Sequence, residues 1–269
     1  MNPLLMSEAN TSLGKYKTTG PRVVVVMPAY NAEKTLERTV QDIPRDWVDE
    51  IILVDDCSCD KTVEISKKLG LTTIVHKENR GYGGNQKTCY HEALKRNADI
   101  VIMIHPDYQY DPRLTPIMRA LISNGVCDVV LGNRIRTRRE ALNGGMPLYK
   151  YFANRFLTIL ENFVMGQNLG EWHSGLRAYS RQVLETLRWE QNSDDFVFDQ
   201  EFLMQAAACG FKLGDVPVAA RYFEEASSIN FIRSSVYGLA TVYRLGRCLL
   251  HRAGLFHWEK LMPKENVER

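Results

Sequence analysis

Net charge is almost absent from this sequence: 34 Lys and Arg stand against 32 Asp and Glu, a formal charge of +2. Without a basic excess there is no electrostatic footprint for nucleic acid. Long apolar runs are missing too. No stretch reaches the roughly 18 uncharged apolar residues of a membrane span. Residues 1–20 lack the apolar centre of a signal peptide and read as a loosely ordered arm. Cysteine is sparse and scattered (Cys57, Cys59, Cys89, Cys127, Cys209, Cys248). The tightest pair, Cys57-Ser58-Cys59, is closer than C-x(2–4)-C metal spacing, so these read as free thiols in a reducing, cytoplasmic setting. Several signatures are also absent: no GxGxxG follows the first apolar run, and there is no GxxxxGK[ST], HExxH or GxSxG. Dinucleotide binding of that type, P-loop ATPase, zincin and nucleophile-elbow chemistry lose their usual support.

What is present is a pair of apolar runs that stop abruptly at polar residues. One is Val23-Val24-Val25-Val26-Met27 before Pro28-Ala29-Tyr30-Asn31. The other is Ile51-Ile52-Leu53-Val54 before Asp55-Asp56-Cys57-Ser58. Unbroken β-branched runs suit strands buried on both faces, as in a parallel sheet covered by helices. In such sheets ligands gather at the carboxyl ends of strands.

Strand and helix patterns alternate to about residue 133. Strands are expected at 22–27, 50–54, 71–76, 99–104 and 126–131. Helices are expected at 33–40 with Asn31 as cap, 61–69 after Asp60, 85–97 after a glycine loop at 79–84, and 114–123. The alternation implies an α/β fold with right-handed parallel βαβ units. Residues 135–147, with Arg136, Arg138 and Arg139, read as a mobile loop. Helices follow at 148–164, 181–187 and 199–209, with strands at 172–179 and 212–220. From 229 to 256 apolar residues recur at helical spacing between Arg233, Arg244, Arg247 and Arg252. That pattern suits a basic amphipathic helix on a membrane surface, a helix packed on the domain, or an oligomer contact. The expected organisation is an arm (1–20), a domain (21–228) split near 134, the amphipathic segment (229–257) and a frayed polar tail (258–269).

The polar strand ends, Asp55/Asp56, His105-Pro106-Asp107 and Asn133-Arg134, fit a nucleoside-diphosphate site with a metal. Carboxylates suit a hard divalent cation and arginine suits phosphate. Tyr30 could lie against a base or ring. The plainer alternative leaves Asp56 capping a turn, Asp107 in an Asx-turn and Arg134 in a surface ion pair.

In chain order these residues resemble a known family. Pro28-Ala29-Tyr30-Asn31 resembles P-x-Y-N-E; Val54–Thr62 resembles V-D-D-G-S-x-D-x-T; Asn79–Gly84 resembles N-x-G-x-G-x. His105–Pro112 resembles D-A-D-x-Q-H-x-P, Gly132-Asn133-Arg134 resembles G-S-R, and Ser174-Gly175-Leu176-Arg177 resembles S-G-F-R. Six such motifs over residues 24–177 resemble the family 2 glycosyltransferases of GT-A fold, in particular the dolichyl- or polyprenyl-phosphate hexosyltransferases. The resemblance implies a mostly parallel twisted sheet. It implies that Pro28, Tyr30, Asn31, Asp55 and Asp56 hold the nucleotide, with Gln109 near the diphosphate and Arg134 and Arg221 neutralising it. It implies a divalent metal, Mn2+ or Mg2+, on Asp107, and an acceptor met by Ser174 and Arg177. Two departures stand out: Ala32 replaces the motif glutamate, and His105 replaces the first Asp of D-x-D. Histidine binds Mn2+ but is a poor ligand for Mg2+. Cys57 in place of glycine implies a turn without positive φ.

The implied reaction is inverting transfer of a hexose from a UDP- or GDP-sugar to a polyprenyl phosphate. Alternatives are a glycan, glycolipid or metabolite hydroxyl as acceptor, or an inactive nucleotide-sugar binder. A hydroxyl acceptor needs a base, and Asp199 in the run 194–201 is the candidate, ahead of Asp195. A lipid phosphate needs cations instead. The 229–256 segment would then meet the cytoplasmic membrane face, helped by the apolar 148–164 helix.

Overall fold

The valine-rich run forms β1 (Val23–Ala29), all of whose residues are buried. Its neighbours are β2 (Glu50–Asp55), β3 (Thr72–Val75), β4 (Ile100–Met103), β5 (Val129–Asn133), β6 (Arg177–Ser180) and β7 (Leu213–Pro217). The computed structural model describes residues 20–135, 137–143, 145–219 and 231–264. The described strands form one seven-stranded sheet in the order β3-β2-β1-β4-β6-β5-β7. Pairing is parallel except at β6, which runs against both β4 and β5.

Helices cover both faces, which is why the central strands carry apolar residues on both sides. These are α1 (Leu36–Gln41), α2 (Thr62–Lys68), α3 (Gly81–Lys95), α4 (Thr115–Ser123), α5 (Arg138–Asn143), α6 (Leu148–Met165), α7 (Arg181–Thr186), α8 (Phe198–Ala208) and α9 (Phe231–Arg252). Val23, Val25 and Met27 pack with Leu36 and Val40 of α1 and Met118 of α4. Val24 and Val26 pack into the opposite cluster, with Tyr90 of α3 and Phe198 and Phe202 of α8. Since β1, β2, β4 and β5 point the same way, their carboxyl ends meet along one edge. The Met103–Arg177 register brings the start of β6 to that edge as well.

Four expectations are corrected. The glycine run is the first turn of α3, not a loop, because Asp56 accepts hydrogen bonds from Arg80 N (2.8 Å) and Gly81 N (3.0 Å) and satisfies that helix end from outside. The 135–147 stretch contains a helix, α5. Residues 258–264 do not fray: Trp258 and Leu261 are buried, and Lys264 N donates to Thr186 O. Helix α1 starts at Leu36, beyond the reach of Asn31 as a cap. Instead Asn31 takes φ 51° and accepts from Cys59 N at 2.9 Å, tying the first two strand ends together. The strand expected from 172 begins only at Arg177, and the other strand boundaries fall within three residues of expectation.

Candidate functional site

The loops after β1 and β2 are laced to each other. Asn31 N donates to Ser58 Oγ (2.8 Å), Ala32 N to Thr62 Oγ1 (2.7 Å), and Lys61 N to the Glu33 carboxylate (3.1 Å). Asn85, on α3, donates to the carbonyls of both Ala29 and Val54. Cys57 has φ 65°, against the expectation of a turn free of positive φ. The turn keeps the left-handed geometry because Asp55 Oδ2 accepts from Ser58 N at 2.9 Å across it. Asp55 is fully buried, and its Oδ1 has no hydrogen-bond partner among the described residues.

A cleft of about 700 Å³ opens over this edge. Pro28, Tyr30, Asn31, Asp56, His105 and Asp107 all line it. Tyr30 is 56% exposed, a ring free to stack on a flat ligand. Across the cleft lie Asp195, whose carboxylate caps Phe196 N, and Tyr237 of α9. Asp56 serves the fold as well as the cleft, since His76 Nδ1 also meets its carboxylate at 2.7 Å.

The glycines of α3 exist for the segment before α8. A Cβ on Gly81 would stand 2.7 Å from Asp194 O. One on Gly83 would overlap the Ser193 carbonyl oxygen and lie 2.7 Å from Phe198 Cβ. Gly83 N donates to Asp194 O at 2.7 Å. This close approach sets Asp199 against Tyr82 and the β4 end.

Asp199 is the hub of a buried ladder. Its Oδ1 accepts from Gln86 Nε2 (3.1 Å) and ion-pairs with Arg177 Nη1 (2.8 Å) without hydrogen-bond geometry, and its Oδ2 accepts from Tyr82 Oη (2.8 Å). Tyr82 Oη stands 3.2 Å from His105 Nε2, the two rings lying within 12° of parallel. Burial depresses the His105 pKa, only partly offset by Asp107 and Asp199, and so favours neutral imidazole. Burial and the Asp199 charge push the Tyr82 hydroxyl well up. Burial would lower the Arg177 pKa, but Asp199 beside it outweighs that and raises it.

A second cavity of about 240 Å³ shares Tyr82, His105, Asp107, Asp199 and Tyr237 with this region. It runs on between α6 and α9, past Leu157. Gln109 and Arg134 line it too. Arg134 is held by Glu171 through Nε (2.8 Å) and Nη2, and donates to His173 O at 2.9 Å. Burial pushes the Glu171 carboxyl up, yet Arg134 outweighs this and holds it below the usual carboxylate range. His173 Nδ1 meets Tyr237 Oη at 2.9 Å, and its Nε2 lies 3.1 Å from the Glu161 carboxylate without hydrogen-bond geometry.

The structure thus gathers Pro28, Tyr30, Asn31, Asp56, His105, Asp107, Gln109 and Arg134 at one edge. It does not bring Ser174 or Arg177 to a cavity wall. Both are buried: Arg177 Nε donates to Ser174 O (2.7 Å), and Nη1 pairs with the Asp199 carboxylate at 2.8 Å, while neither Nη atom has a hydrogen-bond partner among the described residues. Asp199 borders the second cavity, but two hydrogen-bond donors and the Arg177 ion pair occupy its oxygens, which suits an anchor better than a base. Arg138 and Arg139 are exposed on α5, away from both cavities. Arg221 and Arg136 lie outside the described residues. Tyr82, His173 and Tyr237 were not anticipated. Tyr82 sits inside the glycine motif and could have been flagged there; His173 and Tyr237 carry no spacing signal.

The glycosyl transferase family 2 model matches residues 24–188. The UDP-N-acetylglucosamine–dolichyl-phosphate N-acetylglucosaminyltransferase of Methanococcus voltae is 29% identical over 75% of this chain and 86% of its own length. The dolichyl-phosphate hexose transferase of Haloferax volcanii is 30% identical over 74% of this chain and 82% of its own. Glucosyl-3-phosphoglycerate synthase from Mycobacterium tuberculosis, solved with Mn2+, UDP and phosphoglyceric acid, superposes with a TM-score of 0.62. It is 20% identical, with 88% of this chain and 80% of that one covered.

Proposed function

The chain belongs to glycosyl transferase family 2, and on that premise we propose that it moves a hexose from a nucleoside-diphosphate sugar to a polyprenyl phosphate at a membrane surface. The observation that carries the lipid acceptor is the cavity between α6 and α9. It is walled by His105 and Asp107 and by Leu157 of α6 and Tyr237 of α9, and both helices expose apolar rows elsewhere on their surface. On α6 these are Phe152, Phe156, Ile159 and Phe163, the last 82% exposed. On α9 they include Val236, Leu239 and Tyr243. Neither helix shows an exposed carboxylate among the described side chains, since Glu161 is buried. Apolar rows without acidic groups suit a bilayer with anionic headgroups, on the cytoplasmic face. No helix among the described residues is long and apolar enough to cross a membrane.

The nucleotide would lie in the larger cleft, its base against Tyr30 and its diphosphate toward Asp107. The donor set fits a divalent cation, Mn2+ or Mg2+: a half-buried Asp107 carboxylate, with one oxygen accepting Gln109 N at 3.0 Å, stands two residues from His105. When bound, the cation would neutralise charge on the departing diphosphate. Arg134 lines the second cavity, which Asp107 also borders, and its charge would favour the transition state as negative charge grows on the leaving oxygen. An acceptor phosphate oxygen attacks the anomeric carbon from the side opposite that leaving oxygen. The new carbon–oxygen bond forms as the old one breaks, inverting the centre and releasing nucleoside diphosphate. A phosphate is already anionic and needs no base, consistent with the occupied oxygens of Asp199.

The test is a donor and acceptor panel. Protein with Mn2+ or Mg2+ is given UDP-glucose, UDP-N-acetylglucosamine, UDP-galactose or GDP-mannose, with and without a short polyprenyl phosphate. Lipid-dependent release of nucleoside diphosphate, with sugar found on the lipid phosphate, is expected. Transfer to a hydroxyl acceptor that ignores the lipid would overturn the reading.

A further inference from the structure

His105 stands where the family motif has a carboxylate, and the groups around it decide which of its nitrogens is available. Tyr82 has one hydroxyl proton. Its oxygen lies 2.8 Å from Asp199 Oδ2, a carboxylate already fixed at its other oxygen by Arg177 and Gln86. The proton therefore goes to Asp199, and the Tyr82 oxygen is left as an acceptor toward His105 Nε2 at 3.2 Å. The proton of a neutral imidazole is then on Nε2. Gly175 closes the same ring edge: a Cβ there would stand 2.8 Å from His105 Cδ2 and 3.1 Å from Nε2. The Nδ1 edge is the one left over, and His105 lines both cavities beside Asp107.

Resting on the metal-assisted transfer proposed above, we propose that Asp199 and Tyr82 fix His105 as its Nε2–H tautomer, so that Nδ1 joins Asp107 as a nitrogen ligand for the diphosphate-bound cation and ranks Mn2+ or Co2+ above Mg2+. A metal-bound histidine characteristically donates its other N–H to an outer partner, which sets its orientation and basicity. Here that partner is a tyrosine oxygen, itself oriented by a buried carboxylate–guanidinium pair. Mg2+ demands oxygen ligands, whereas imidazole suits later divalent ions. The replacement of a motif Asp by His is then a change of metal preference rather than a loss of the site. Tyr82 acts through His105 and is a positioning residue.

The experiment is pulsed EPR and equilibrium titration of the full chain with Mn2+, in the presence of UDP or GDP, with Mg2+ as competitor. Wild type should show directly coordinated nitrogen hyperfine coupling. His105→Asp should lose the coupling and narrow the Mn2+-over-Mg2+ preference by about tenfold. Tyr82→Phe, which keeps the ring and its packing, should weaken Mn2+ binding about tenfold and leave Mg2+ binding unchanged. Mn2+ bound with the nucleotide but without nitrogen coupling overturns the inference, as does an unchanged metal ranking in His105→Asp. An unaltered Mn2+ affinity in Tyr82→Phe overturns the positioning role. Lipid-dependent transfer is scored separately: transfer without nitrogen coupling sinks this inference alone, and nitrogen coupling without such transfer sinks the acceptor reading alone.

Discussion

Replacing Asp199 by Asn separates an anchor from a base. The side chain keeps its size and loses its charge. Arg177, only 1% exposed, would then be a buried guanidinium without a counterion. Removing one partner of a buried pair costs about 3–5 kcal/mol, because the other charge is stranded. At roughly 2–4 °C per kcal/mol for a domain of this size, the melting temperature should fall by about 10 °C. The amide also brings a donor toward Tyr82, whose hydroxyl must then turn from donating to accepting to keep the contact. Thermal unfolding and urea titration of the two proteins, side by side, measure the loss. A side chain serving only as a base would behave otherwise, losing turnover with stability intact. An Asp199→Asn protein that melts with the wild type would refute the anchoring argument and return Asp199 to the role of base.

Gly83→Ala should destabilise by about 1–3 kcal/mol, read as a lower urea midpoint, because its Cβ meets the 193–198 backbone and Phe198 at once. Cys57→Gly should raise stability by about 1 kcal/mol, since glycine accepts φ 65° without the Cβ penalty; calorimetry checks the sign. Asp107→Ala should lower turnover more than about tenfold through loss of charge stabilisation at the leaving diphosphate, measured at saturating donor with Mn2+. The double change Phe156→Glu and Phe163→Glu should cut sedimentation with anionic vesicles at least about tenfold, with melting unchanged because both rings are exposed.

The parts of this molecule legible in its sequence are those where one residue type answers to one local demand. The runs at 23–26 and 51–54 are apolar because both sheet faces are covered, and each yields its strand directly. The polar residues that follow them end up at one edge because parallel strands end together. What stays hidden is whatever two distant segments decide between them. The glycines at 81–84 look like a loop read alone; they are helical because the carbonyls of Ser193 and Asp194 press on them and Asp56 caps them from another strand. Arg177 looks like a free cation for a phosphate; it is buried and paired with Asp199 across the core. Tyr237 reads as one more residue of an amphipathic helix, yet it lines both cavities and meets His173 at 2.9 Å. His105 is the sharpest case. As a deviation from a motif it suggests a weakened metal site. Beside Tyr82, Asp199 and Gly175 it becomes an oriented imidazole, and that orientation needs three segments far apart in the chain to meet.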